Sequence, residues 1–365
     1  MLPSGSTKRL AAVVLIAALM GAVVTTISGS AGAAGSGQPW GVKLVTAGGF
    51  SDLTVGGGNL YAIRDGTWIV QINPSTGKLI ASSRAVPSAD SLVYADGSLW
   101  ATGSTLLPSK GAGLPVLQEL SSVSLRKERE VVYKSAWKPI FFNGPPGQLW
   151  GYGGWTKSPV CTVRQLNPAT GATLLVYRLP RGTGECAGVA FDTAWRDLYV
   201  VTGGGGGNLA LYKLDGRSGA ILGHSAIPTF SNFVSIVATP QRVWIAGGDP
   251  GAPGGLLYLT TGLRLLAESP TVGNGPPPGV SQLPNFSQFA SVDYSGGRVW
   301  AASDGTVACF SPSSRKVIAL YVQHHAPLVT SPPVVTGSAM WAESNNGNPP
   351  QNGLVKVTPP ASCIR

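Results

Sequence analysis

Residues 53–80 read Leu-Thr-Val-Gly-Gly-Gly-Asn-Leu-Tyr-Ala-Ile-Arg-Asp-Gly-Thr-Trp-Ile-Val-Gln-Ile-Asn-Pro-Ser-Thr-Gly-Lys-Leu-Ile. Short β-branched and aromatic runs are punctuated by Gly, Asp and Asn-Pro. The stretch therefore spells strand, tight turn, strand, loop, strand, tight turn and the start of a fourth strand. Pro after Asn sets the turn's φ, and the Gly three residues later takes the left-handed position.

Versions of this unit recur along the chain. Each has an alternating apolar strand, a Gly-, Asp- or Asn-rich turn, and a strand centred on an aromatic. The anchors are Tyr61, Trp100, Trp150, Tyr199, Trp244, Trp300 and Trp341, spaced 39 to 56 residues apart. That is the spacing of propeller blades. The second hairpin recurs as well: Asn73-Pro-Ser-Thr-Gly77 matches Asn167-Pro-Ala-Thr-Gly171, with weaker copies after Leu214 and Phe310. The expected fold is all-β, a β-propeller of seven four-stranded blades in one domain, residues 34–365. One four-stranded sheet cannot cover both its faces, so blades must stack. Because the anchors recur at one structural position, they read as packing between blades and not as a binding stripe. The seventh unit is short of a strand. The orphan strand near Val42–Thr46 is expected to supply it, closing the ring with both termini in one blade.

Composition supports the same class. Among 365 residues, 50 Gly and 29 Pro accompany only 12% charged residues, so amphipathic helices are scarce. Lys8 and Arg9 precede an uncharged, largely apolar run, residues 10–27, and Ala31-Gly32-Ala33 offers a small-residue cleavage site. Residues 1–33 read as a secretory signal peptide, with a retained membrane anchor over 10–27 as the alternative. Its removal leaves 24 basic and 16 acidic residues, a net +8. A basic exported protein suits an anionic envelope surface. The basic residues are scattered and no nucleic-acid module appears, which argues against a nucleic-acid partner. A monomer is expected.

Four Cys in an exported chain suggest two disulfides, and sequence allows three pairings. Cys161 opens the third strand of its unit and Cys186 reads as just following the fourth, so a Cys161–Cys186 bridge is reasonable. Cys309 and Cys363 would then tether the C-terminal tail to the sixth blade. No Cys-x-x-Cys occurs, and no metal site or cofactor is expected.

In such a blade the turns between strands A and B and between C and D share one face, and the B–C and D–A loops share the other. Nearly all the loop length falls on the second face, where function concentrates. Its aromatic and polar residues suit a glycan, peptide or protein ligand near the central channel. Candidate ligand contacts are Trp137, Trp155, Phe286, Asp249, Asp304 and Glu343, with Phe141 and Phe142 also read as loop aromatics. A carboxylate pair could do acid/base work, which singles out Glu343 and Asp304. His324 and His325 are weaker catalytic candidates, because adjacent His on a strand point different ways. No Gly-x-Ser-x-Gly elbow occurs. The five Gly of 203–207 lie between strands rather than before a helix, so they form no phosphate cradle.

The Gly/Asp-rich turn, Leu/Val-Trp, and Asn-Pro-x-Thr-Gly together resemble the quinoprotein-like and NHL/YVTN-type propellers, with WD40-like repeat logic, over most of residues 41–359. Met340-Trp341-Ala342-Glu343, then Asn345-Asn346-Gly347 and Leu354–Pro359, is similar to a blade of streptogramin-type lyases. That resemblance implies elimination with His, Glu and a divalent metal. Here no His accompanies Glu343 in sequence. The reading from sequence is thus a secreted binding or interaction propeller of the cell envelope or extracellular space, with a propeller enzyme using Glu343 or Asp304 as the alternative.

Overall fold

The computed structural model describes residues 40–364, apart from 85–87, 106–113, 134–138, 154–159, 204–208, 228–233, 248–254, 269–290, 304–305, 314–315, 323–330, 332, 337–338 and 345–351. It contains seven antiparallel four-stranded sheets. Blades 1 to 6 cover residues 50–83, 91–132, 139–178, 185–227, 234–268 and 291–322, each in the order A-B-C-D from the inner to the outer strand. Blade 7 takes strands A, B and C from Val334–Thr336, Ala339–Ser344 and Gly353–Thr358, and its outer strand D from Gly41–Ala47. Lys43 pairs with Lys356 and Ala47 with Gly353 in that closing ladder. The closure anticipated from the incomplete last unit is therefore the one the chain uses. A 3-10 turn at Ala361–Cys363 follows.

All seven anchors lie on B strands and are at most 2% exposed. Around them, apolar side chains of adjacent blades merge into shared clusters. Trp150 packs with Phe191 and Val189 of the next blade, and Trp244 with Phe310 and Val299.

The seams are also hydrogen-bonded, and the pattern repeats. An aromatic of one blade donates to a carbonyl in the C–D turn of the next. Trp341 Nε1 reaches Pro74 O at 3.0 Å, joining blade 7 to blade 1. Tyr61 reaches Ser122 O at 2.6 Å and Tyr133 reaches Gly171 O at 3.1 Å. Tyr177 lies 3.0 and 2.9 Å from the carbonyls of Gly216 and Arg217. Tyr199 reaches Thr261 O and Tyr258 reaches Ser313 O, each at 3.2 Å. Each bond contributes on the order of 1 kcal/mol. Blade 7 has no C–D turn, because its C and D strands come from opposite chain ends. There, Arg298 of blade 6 donates to Ser362 O at 3.1 Å, and the Cys309–Cys363 disulfide spans the seam.

The Asn-Pro-x-Thr-Gly motif is the receiving half of this joint. Asn73 Oδ1 accepts the N–H groups of Ser75 and Thr76, and Asn167 and Asp215 repeat the arrangement. The glycine closes the turn, with Gly77 N–H on Asn73 O at 2.7 Å. Gly77 and Gly219 both have left-handed φ, +73° and +71°. A Cβ on Gly77 would also strike the Trp341 ring, and one on Gly219 the Tyr177 ring. These positions exclude a side chain twice over, by conformation and by the neighbouring aromatic.

The other disulfide, Cys161–Cys186, has a Cα–Cα distance of 4.7 Å. One detail differs from the sequence reading. Cys186 does not trail strand D of blade 3 but sits inside strand A of blade 4, Glu185–Phe191. The bridge therefore staples two blades across a seam. Likewise Phe141 and Phe142 belong to the strand Pro139–Phe142, not to a loop. Pro and Gly at 144–147 masked its end.

If the turn glycine is set by the neighbouring blade's aromatic, Gly219→Ala should cost about 2–4 kcal/mol by combining left-handed strain with overpacking. Exposed Arg217→Ala, in the same turn, should change stability by less than about 0.5 kcal/mol. Urea unfolding of the two variants compares them directly.

Candidate functional site

The A strands surround a central channel holding a cavity of about 380 Å³, within the usual size of a small-molecule site. Its polar lining includes Asp52, Asn143, Asp293, Ser331 and Glu343. Strand direction places Ser331, Glu343 and Asp52 toward the long-loop end. Asn143 and Ser295 stand toward the tight-turn end.

Counting back nine residues from each anchor explains the loop-end chemistry. The position holds Ser91, Ser235 and Ser291 in three blades but Asp52 in blade 1. Ser91 accepts the N–H of Phe141 at 3.0 Å and Ser235 that of Val292 at 3.1 Å. This column thus stitches one inner strand to the next. Asp52 does the same job with a carboxylate, accepting the Leu92 N–H and the Ser91 side chain. A bulge between Ser51 and Thr54 and a left-handed φ of 53° aim it there.

Glu343 lies on strand B of blade 7, two residues beyond Trp341. The equivalent positions of blades 1, 2, 5 and 6 hold Ile63, Thr102, Ala246 and Ala302. Its carboxylate accepts the backbone N–H groups of Asp52 and Leu53, and its own N–H is held by Ser331 Oγ at 2.9 Å. Ser331, Glu343, Asp52, Ser91 and Phe141 therefore form one hydrogen-bonded line running through blades 7, 1, 2 and 3.

Two carboxyls in this line stand half-buried in the cavity wall. Burial pushes Asp52 up to about 7 against the opposing effects of Leu92 and Ser91. Burial, and then the charge of Asp52, push Glu343 up to about 8. Burial also raises Asp293 from its ordinary value, with the N–H of Tyr294 opposing it. Tyr152, raised to about 12 by burial and then by Asp52, completes the titratable set around the pair. Near neutral pH the pair holds at least one proton, so it can donate as well as accept hydrogen bonds, or exchange a proton with a bound molecule. Among the described residues no group of His, Cys, Asp and Glu is arranged to hold a metal ion.

Of the residues singled out from sequence, Glu343 lines the channel. Trp137, Trp155, Asp249, Phe286, Asp304, His324 and His325 lie outside the described residues. Asp52 and Asp293 were not singled out. Asp52 was visible as the one acid in a column that holds serine in three other blades, once the repeats are aligned on their anchors.

No family model and no curated protein matches this chain. Among solved structures it is similar to BamB from Moraxella catarrhalis, 12% identical over 84% of this chain and 83% of that one, with a TM-score of 0.54. What the two share at that identity is the propeller fold. No helix among the described residues is long and apolar enough to cross a membrane.

The pH dependence follows from the carboxyl pair. Both groups bind protons more tightly folded than unfolded. Their stabilising contribution is complete below the ordinary values of 3.8 and 4.5, and is lost as pH rises through about 7 and about 8. The melting temperature should fall across that window by roughly a few °C. The double variant Asp52→Asn, Glu343→Gln keeps carbonyl acceptors without ionising, and Asn tolerates the left-handed backbone. Its melting temperature should be flatter over the same range. An unchanged slope would refute the assignment.

Proposed function

We propose that this chain is an exported binding propeller of the cell envelope or extracellular space, taking its ligand in the central channel from the long-loop face. The carrying observation is the channel cavity, whose polar lining is contributed by blades 1, 3, 5, 6 and 7. The two disulfides support an extracytoplasmic setting. In this reading residues 1–33 are a leader and 34–365 the mature propeller, acting as a monomer. Within propellers, the Asn-Pro-x-Thr-Gly turns favour the quinoprotein-like and NHL/YVTN-type grouping. A protonated carboxyl pair flanked by Ser, Thr and Asn suits an uncharged, hydrogen-bonding ligand, a glycan or peptide. Trp137, Trp155, Phe286, Asp249 and Asp304 would meet it at the mouth.

A second reading has its own observation. Glu343 and Asp52 are joined through the backbone and titrate near neutrality, the setting of a general acid or base. A lyase or glycan-active enzyme would use Glu343 with Asp52, and Asp304, His324 or His325 from the loop face.

An array of glycans, peptides and envelope polymers, probed at low and high salt, tests the first reading. Binding in the channel should survive high salt. It should weaken by about tenfold or more in Asn143→Trp, which fills the channel from an exposed position. Binding that vanishes in salt, or that Asn143→Trp leaves untouched, would sink the channel site. Turnover of a captured ligand that Glu343→Gln abolishes would favour the enzyme.

A further inference from the structure

The tight-turn face carries a pattern that the channel reading does not use. Thirteen large hydrophobic side chains are exposed among the described residues, and nine of them sit at this end of the molecule. In blades 1 to 5 they lie in the C–D turn or where it enters the outer strand. Blade 1 exposes Leu79 and Ile80 by 41% and 52%, and blade 4 exposes Ile221 and Leu222 by 43% and 55%. Leu174 and Leu175 repeat the doublet in blade 3. Val123, at 81%, stands in the blade 2 turn, and Leu265 follows the blade 5 turn. Blade 7 has no such turn, but the C-terminal tail places Ile364 at the same end, 43% exposed.

The same turns carry exposed cations. Lys78, Arg126, Arg217, Arg264 and Lys316 supply one from each of blades 1, 2, 4, 5 and 6. Among the described residues the exposed acids at this end are Asp96, Glu128 and, further along the same outer strand, Glu130, and half-exposed Asp215 stands beside Arg217 in the blade 4 turn. Lys78 directly precedes Leu79, and Arg264 directly precedes Leu265. A strand rises roughly 3.3 Å per residue. The apolar doublets thus lie within one or two residues of the turns, a depth matching the roughly 5–10 Å to which interfacial segments bury in a bilayer.

From this charge complementarity and apolar rim we propose that the tight-turn face docks on an anionic lipid bilayer. The turn cations meet headgroup phosphates, and the outer-strand doublets enter the headgroup–acyl boundary. A soluble anionic polymer would use the cations but leave the apolar side chains in water. The described chain also enters the propeller on this face, since Gly41 pairs with Thr358 at its edge. In this orientation the long-loop face and the channel mouth point away from the membrane and stay open to ligand. The proposal stands independently of what the channel binds.

Sedimentation with vesicles of phosphatidylcholine, alone or mixed with phosphatidylglycerol, tests it without any channel ligand. Binding should require phosphatidylglycerol. The variant Lys78→Glu, Arg217→Glu, Arg264→Glu should weaken it by about tenfold or more. Reversing Arg84 and Arg181, exposed at the opposite end, should not. The variant Ile80→Ser, Ile221→Ser, Leu222→Ser should lose vesicle binding while retaining capture by soluble polyphosphate. Each variant is checked by its melting curve, and single changes Lys78→Glu and Leu222→Ser replace any that melts early. No binding to mixed vesicles would overturn the proposal. So would apolar variants that bind vesicles like the parent, or equal losses on reversing charge at either end.

Discussion

The joint on which this propeller depends is a hydrogen bond from an aromatic of one blade to a turn carbonyl of the next. Hydrophobic burial brings the blades together, but burial is non-directional. Six seams carry a Trp or Tyr donor aimed at a C–D turn, and all are laid in the same rotational sense. The seventh seam lacks the receiving turn because the chain begins and ends in blade 7. A disulfide and an arginine take its place there. The strand Gly41–Ala47 closes the ladder at that point. The chain thus puts a covalent link at the seam that the repeat cannot complete, as it also does between blades 3 and 4.

Much of this was legible in the sequence because the joint has local signatures on both sides. The anchor follows a tight turn by two to four residues, and in blades 1, 3 and 4 the receiving turn is Asn-Pro-x-Thr-Gly or Asp-Gly-x-Ser-Gly. Both are short-range patterns, so blade number and closure could be read directly. The donors of three seams were not legible. Tyr133 follows strand D of blade 2, Tyr177 lies on strand D of blade 3 and Tyr258 on strand C of blade 5, and they play the part that Tyr61 and Tyr199 play from B strands. Nothing local distinguishes a tyrosine reaching across a seam from one lying on its own sheet. Cys186 was misplaced for a related reason: Gly182 and Gly184 obscure where strand A of blade 4 begins.

The channel was only partly legible. Glu343 stood out by departing from the equivalent position in other blades. Asp52 hid because it precedes the first well-formed repeat and looks like a loop acid. Its meaning emerges from a comparison of blades: where blades 2 and 5 tie adjacent inner strands with serine, blade 1 uses a carboxylate, and blade 7 sends a second carboxylate to meet it. Serines at those positions would hold the strands at any pH. Carboxyls hold them with groups that ionise near neutrality, at the same place where the cavity opens toward the long loops. The two ends of the molecule divide their tasks accordingly. One end presents loops and a channel with titratable walls, and the other a rim of cations and exposed apolar side chains.

The central claim is that each seam is held by its own directional joint, and native-state hydrogen exchange tests it most directly. Trp341→Phe keeps a smaller aromatic ring but removes the donor to Pro74. The account predicts faster exchange in two places, strand B of blade 7 and the 73–78 turn of blade 1, with the turns of blades 3 to 6 unchanged. Faster exchange spread evenly over all seven blades, or none at the blade 1 turn, would contradict it.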